Sequence, residues 1–215
     1  MRAQGSDDPA ASPRTVLKYA AGVGLCLLFG WFAFVREASD PLGNRVPLLG
    51  GVDLGFHELG HMLTYAFPDL MTSMMGSITQ VAVPLGLAIY FAWRRKDLLG
   101  TGICLAWAGT SAQDVSEYIA DAPYEYLPLI GGQHDWAYIL GPEQFNMLDS
   151  ADTVAGTVKT LGLLLLIAGT LTCAAGPFVE QRRRKAELKK MSMPPPGSGG
   201  GWAVIPPWEQ EGGQA

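Results

Sequence analysis

The sequence predicts an all-α, polytopic membrane protein with about four transmembrane helices and one further helix, re-entrant or otherwise membrane-buried, that carries the run His57-Glu58-Leu59-Gly60-His61. Hydrophobic residues make up 48% of the 215 and charged residues only 16%, well below the roughly 25% usual in soluble domains. The apolar residues also fall in blocks: Tyr19 to Val35, Met71 to Trp93, Leu98 to Gln113 and Thr160 to Val179 hold no Asp, Glu, Lys, Arg or His. Most of these approach the roughly 20 residues that cross a bilayer. Finally, Lys and Arg gather in three groups at the block ends: Arg2, Arg14 and Lys18; Arg94, Arg95 and Lys96; and Arg182, Arg183, Arg184, Lys185, Lys189 and Lys190.

Taken in order, residues 1–18 read as a cytoplasmic amino terminus. The first apolar block is longer than the 7–15 residues of a signal-peptide core and runs into Arg36-Glu37-Ala38-Ser39-Asp40 without a small-x-small cleavage site, so it reads as an uncleaved anchor. Segment 46–67 is apolar but contains Asp53, His57, Glu58 and His61. If it crossed fully, the next span would leave Arg94 to Lys96 outside, against the tendency of Lys and Arg to flank membrane helices on the cytoplasmic side. A segment entered from outside and returning there removes the conflict. The membrane domain then covers 19–179, the chain is a multi-pass protein of the cell membrane with both termini cytoplasmic, and the loop 119–153 shares the extracytoplasmic side with segment 36–70. Residues 180–215 form a basic stretch followed, from 191, by a tail rich in Pro, Gly and Ser, a composition that cannot bury enough apolar surface to fold alone. Trp202, Ile205 and Trp208 in that tail are candidates for docking to a partner.

Some classes drop out. The strong basic run abuts a membrane segment and no basic-aromatic surface pattern accompanies it, which argues against nucleic-acid binding. Cys26, Cys104 and Cys173 are odd in number and each sits in an apolar block, which reads as small buried hydrophobes rather than a disulfide framework.

On a helix, residues four apart share a face one turn apart, so His57 and His61 can hold one metal ion with Glu58 beside them. Two His and a Glu at membrane depth are tolerated only against protein or a water-filled cavity. Such a Zn²⁺ keeps a coordination position for water, with Glu58 as the general base. The third ligand is open between two candidates. His134, in Gly132-Gln133-His134-Asp135-Trp136, is the one other His in the chain, with Asp135 as a supporting carboxylate. Glu117 belongs to Asp114-Val115-Ser116-Glu117-Tyr118-Ile119-Ala120-Asp121, in which Asp114, Glu117 and Asp121 share a helical face. Asp53, four residues before His57, reads either as a partner of a ligand imidazole or as a mark of the helix entry, and Tyr65 extends the polar stripe. Gln80 and Pro84, inside the second span, read as structural and bundle-facing.

The run His57 to His61 in a membrane segment resembles membrane zinc metallopeptidases of the site-2 protease type. The Asn-x-x-Pro and Leu-Asp-Gly elements of that family are absent, Phe145-Asn146-Met147-Leu148-Asp149-Ser150 being a faint counterpart. Over roughly 50–152 the chain is more similar to a little-characterised bacterial membrane group that combines HELGH with Asp-Val-x-x-Tyr-Ile-x-Asp-Ala (here Asp114 to Ala122) and His-Asp-Trp (here His134 to Trp136). The resemblance does not supply a substrate; with the motif it leads to the expectation of a membrane-embedded zinc-dependent metalloprotease hydrolysing peptide bonds near the extracytoplasmic face, with a membrane-protein substrate or a membrane complex as the expected partner. The rival expectation is a non-catalytic zinc-binding subunit of a larger membrane complex.

Overall fold

The structure, a computed structural model, describes residues 12–36, 45–130 and 132–192. The tail from 193, with Trp202, Ile205 and Trp208, and the first eleven residues lie outside it, as does the reading of that tail as unstructured. Among the described residues the regular structure is entirely helical. Helix α1 (Pro13–Gly30) opens on Ser12, whose hydroxyl accepts from the Thr15 amide, with Pro13 in the first turn where its missing N–H costs nothing. A π-helical turn, Trp31–Val35, extends it. Then come α2 (Leu49–Thr64), α3 (Asp69–Tyr90, prolonged by a π-helical turn to Arg95), α4 (Leu98–Asp121), the short α5 (Asp135–Leu140), and α6 (Ala151–Ser192). The α3–α4 turn places Lys96 at a left-handed φ of 50°, after which the Asp97 carboxylate accepts from the Leu99 amide to start α4.

Among the described residues, three helical stretches are long and apolar enough to cross a membrane: Pro13–Val35, Asp69–Arg95 and Leu148–Ser192. The last is longer than the apolar block suggested, since α6 starts at Ala151 rather than near Thr160 and continues through the basic stretch to Ser192. Its 42 residues span roughly 63 Å, about twice the hydrocarbon thickness of a bilayer.

Helix α4 is the most enclosed, packed against α1, α3 and α6. It buries Ala106, Ala108, Thr110, Ser111, Gln113, Val115, Ser116 and Ile119. Its seam with α6 is backbone on backbone. A Cβ built at Gly109 would lie 2.5 Å from the Gly162 carbonyl oxygen, one at Gly162 would lie 2.7 Å from that of Gly109, and Gly102 and Gly169 make the same reciprocal approach. Glycines seven apart on each helix keep one face bare, a device of close packing between membrane helices. Beyond this seam, α5 buries Ile139 and Leu140 with Val115, Ile119, Ala151 and Ala155. That small apolar cluster fixes where α5 begins, and hence where Asp135 stands.

Candidate metal centre

Helix α2 buries Gly50, Asp53, His57, Gly60 and Thr64, a stripe at three- and four-residue spacing that faces the bundle. The opposite face, with Val52, Leu59, Met62 and Leu63, is apolar and exposed. Gly60, the fourth residue of the motif, lies against the α3 backbone so closely that any Cβ there would collide with the Met75 carbonyl. The next residue of α3, Gly76, sits beneath the two imidazoles. A Cβ on Gly76 would lie 2.5 Å from His61 Nε2 and 2.7 Å from His57 Nε2. The α2–α3 pair therefore leaves space at the tips of both rings.

What faces that space is fixed from behind. The His57 Nδ1–H donates to Gln80 Oε1 at 3.2 Å, and the His61 Nδ1–H donates to the Thr72 carbonyl at 2.9 Å. Gln80 is itself oriented, because its amide Nε2 donates to Asp114 Oδ2 at 2.8 Å while Arg45 Nε donates to the other Asp114 oxygen at 2.6 Å. With the amide nitrogen turned to a carboxylate, its oxygen must face His57. Both Nδ1 protons are thereby committed, and both Nε2 lone pairs point forward. They meet Asp135, whose Oδ2 lies 3.1 Å from His57 Nε2 and 3.2 Å from His61 Nε2. Burial alone would raise the Asp135 pKa; a proton held on the Nε2 of His57 or His61 outweighs it and holds the carboxyl below its ordinary range.

His57, His61 and Asp135 thus bring one ligand atom each within 4.8 Å of one another, a group that could hold a metal ion. The fit is chemically sensible. Ligand atoms on a tetrahedral ion with bonds of roughly 2.0–2.2 Å stand about 3.3–3.6 Å apart, a few tenths of an ångström beyond the N···O separations here. Three acceptors turned on one point repel unless a cation lies between them; a single proton satisfies one pair, a divalent ion all three.

The other residues marked in the sequence are placed elsewhere. His134 is buried, but its Nδ1 accepts from the Ala137 amide at 3.1 Å, capping α5, and its Nε2 lies 3.3 Å from Asp121 Oδ2. Burial lowers its pKa, consistent with a neutral ring whose Nε2–H faces Asp121. The structure thus brings Asp135, and not His134, to His57 and His61: of two adjacent residues, the one inside the first turn of α5 faces the site and the one before it caps the helix. Glu117 accepts from Gln113 Nε2 on its own helix at 3.1 Å and does not join the group. Asp121 accepts from the amides of Tyr126 and Leu127, so it pins the loop. Asp114 acts through Gln80. Asp53 accepts from Trp107 Nε1 and Ser111 Oγ, tying α2 to α4 rather than bonding a ligand imidazole. Tyr65 is exposed. Pro84 is buried in α3. Glu58 is half-buried and lines, with His57, His61 and Asp135, a cavity of about 510 Å³.

Two residues carry more than the sequence reading gave them. Gln80 orients a candidate ligand. Tyr118 accepts from the Asp135 amide at 3.1 Å, donates to Asp135 Oδ2 at 3.4 Å, and lays its ring 4.2 Å from that of His134. The available signal was spacing: Tyr118 stands one turn beyond Asp114 on α4, on the same face.

No protein-family model, curated protein or solved structure matches the chain. The reading therefore rests on the site itself.

Proposed function

We propose that the chain is a membrane-embedded, zinc-dependent metallopeptidase in which His57, His61 and Asp135 bind the ion and Glu58 is the general base. The carrying observation is the convergence of two Nε2 lone pairs and a carboxylate on one point while both Nδ1 protons are held by Gln80 and Thr72. Carboxylate plus two imidazoles suits Zn²⁺ and leaves a position open. A bound zinc supplies Lewis acidity that lowers the pKa of a coordinated water to about 7 and polarises a carbonyl. Glu58, on the cavity wall and next in sequence to His57, takes the proton of the attacking water and returns it to the leaving amine. Gln80 and Thr72 keep the imidazoles in the tautomer that presents Nε2.

The topology that goes with this reading has α1, α3, α4 and α6 crossing the membrane, both termini in the cytoplasm, and α2 entering from outside without crossing. Two features support it. Helix α4 is enclosed by its neighbours, so its many small and polar residues meet protein and it needs little apolar surface. Helix α2 has 16 residues, roughly 24 Å, short of the ~30 Å hydrocarbon core; it is apolar on its exposed face and polar on its inner one.

A zinc that only ties α5 to α2 would use the same three ligands, and this is the alternative of a non-catalytic subunit in a membrane complex. Glu58→Gln separates the two, because it removes the base and leaves every ligand. Purified Glu58→Gln protein retains one zinc per chain by elemental analysis and loses the cellular function of the wild type. A Glu58→Gln chain that complements a deletion strain fully, while Asp135→Asn does not, makes the zinc structural.

A further inference from the structure

We infer, building on the metallopeptidase reading, that the cavity selects a neutral substrate with a large apolar side chain next to the reacting carbonyl. Beside its polar groups, the cavity that contains Glu58 and the three candidate ligands is lined by Leu54 of α2, Val115 of α4 and the consecutive run Leu127, Pro128, Leu129 and Ile130. At about 510 Å³ it lies within the 300–1,000 Å³ of small-ligand sites, which are typically apolar with a few placed polar groups.

The run 127–130 is not a passing loop. Its start is fixed: the Asp121 carboxylate accepts from the Tyr126 amide at 3.1 Å and the Leu127 amide at 2.9 Å. Asp135, a candidate ligand clamped by Tyr118, lines the same cavity as the run. The apolar wall and the metal group thus face one space.

Charge on the cavity wall restricts the occupant further. Arg45 is the one Lys or Arg among the lining residues, and its Nε is engaged by Asp114. The other ionised candidates on the wall are Glu58, Asp69, Asp114 and Asp135. Apart from the metal itself, a substrate carboxylate would find Arg45, already paired with Asp114, and several acids, whereas an aliphatic or aromatic side chain would find Leu, Pro and Ile.

Hydroxamic acids test this without knowledge of the natural substrate, because the hydroxamate chelates zinc while its substituent samples the wall. The zinc-loaded full chain in detergent is titrated calorimetrically with acetohydroxamic acid, with benzyl- and isobutyl-bearing hydroxamic acids, and with one bearing a carboxylate. The apolar substituents should tighten binding by at least ~10-fold over acetohydroxamic acid, and the carboxylate should not. Leu129→Asn, alone and with Leu127→Asn, should retain zinc and the acetohydroxamate affinity while losing the apolar advantage. Equal affinities for all four probes, or tightest binding of the carboxylate probe, overturns the selectivity and leaves the zinc reading standing. An apolar advantage that persists in the Asn variants overturns it too, since it then arises from the micelle. Protein that retains no zinc removes the metallopeptidase reading, and the selectivity with it.

Discussion

Between α4 and α6 the chain closes on bare backbone, with Gly102, Gly109, Gly162 and Gly169 in mutual contact. Between α2, α3, α4 and α5 it closes on ionisable and amide side chains: His57, His61, Gln80, Asp114 and Asp135, with Arg45 from the segment before α2. Both regions also use a glycine to bring helices close, but for different ends. At the α4–α6 seam the missing side chains let backbone meet backbone, which is how helices associate where lipid offers no hydrophobic drive. At Gly76 the missing side chain leaves room under two imidazoles. A bundle can be assembled without buried charge, so a group that keeps His, Asp and Arg together at such desolvation cost is a candidate functional site.

That contrast makes claims that can be broken. The largest effect is expected at Asp135. Asp135→Ala should lose stoichiometric zinc, as His61→Ala does, whereas His134→Ala should keep it and lose only the cap of α5, about 1 kcal/mol of stability. Elemental analysis of the three purified variants decides this, and zinc lost from His134→Ala but kept in Asp135→Ala would restore His134 as the ligand.

A smaller effect is expected one bond back. Gln80→Leu removes the acceptor that holds the His57 tautomer and leaves Asp114 with one partner fewer, so zinc affinity should fall about 10–100-fold by competition with a chromogenic chelator. Gln80→Glu preserves an acceptor for Nδ1 and should recover part of that loss. An unchanged affinity in Gln80→Leu would mean that the orientation of His57 is set by packing alone.

The least effect on the metal is expected in the other region. Gly109→Ala places a methyl 2.5 Å from the Gly162 carbonyl oxygen and should cost about 1–3 kcal/mol of stability, read as a lowered unfolding midpoint in detergent. Zinc per folded chain should not change. If Gly109→Ala shed zinc as readily as it lost stability, the two regions would be one cooperative unit and the contrast would fail.

How much of this was legible in sequence differs between the same regions. The helical membrane character followed from apolar blocks and the position of Lys and Arg, since hydropathy is a local property summed over about 20 residues. The pair His57 and His61 followed from helical periodicity, which is also local. Which residue closes the group was not local. His134 and Asp135 are adjacent, and the chemical prior favoured the imidazole; the choice fell to Asp135 because α5 starts there and packs Ile139 and Leu140 against α4 and α6. Gln80 read as a structural amide for a similar reason, as nothing within α3 reveals that His57 and Asp114 lie on either side of it.

By itself the sequence determined the class of the protein and one helix face of the site, because composition and i, i+4 spacing are carried by contiguous residues. Only the tertiary structure decided the third member of the group, the chain of support from Arg45 through Asp114 and Gln80 to His57, and the apolar wall at 127–130. Each of these joins residues from separate elements, and their meeting depends on glycine-set distances between helices and on a small apolar cluster shared by α4, α5 and α6.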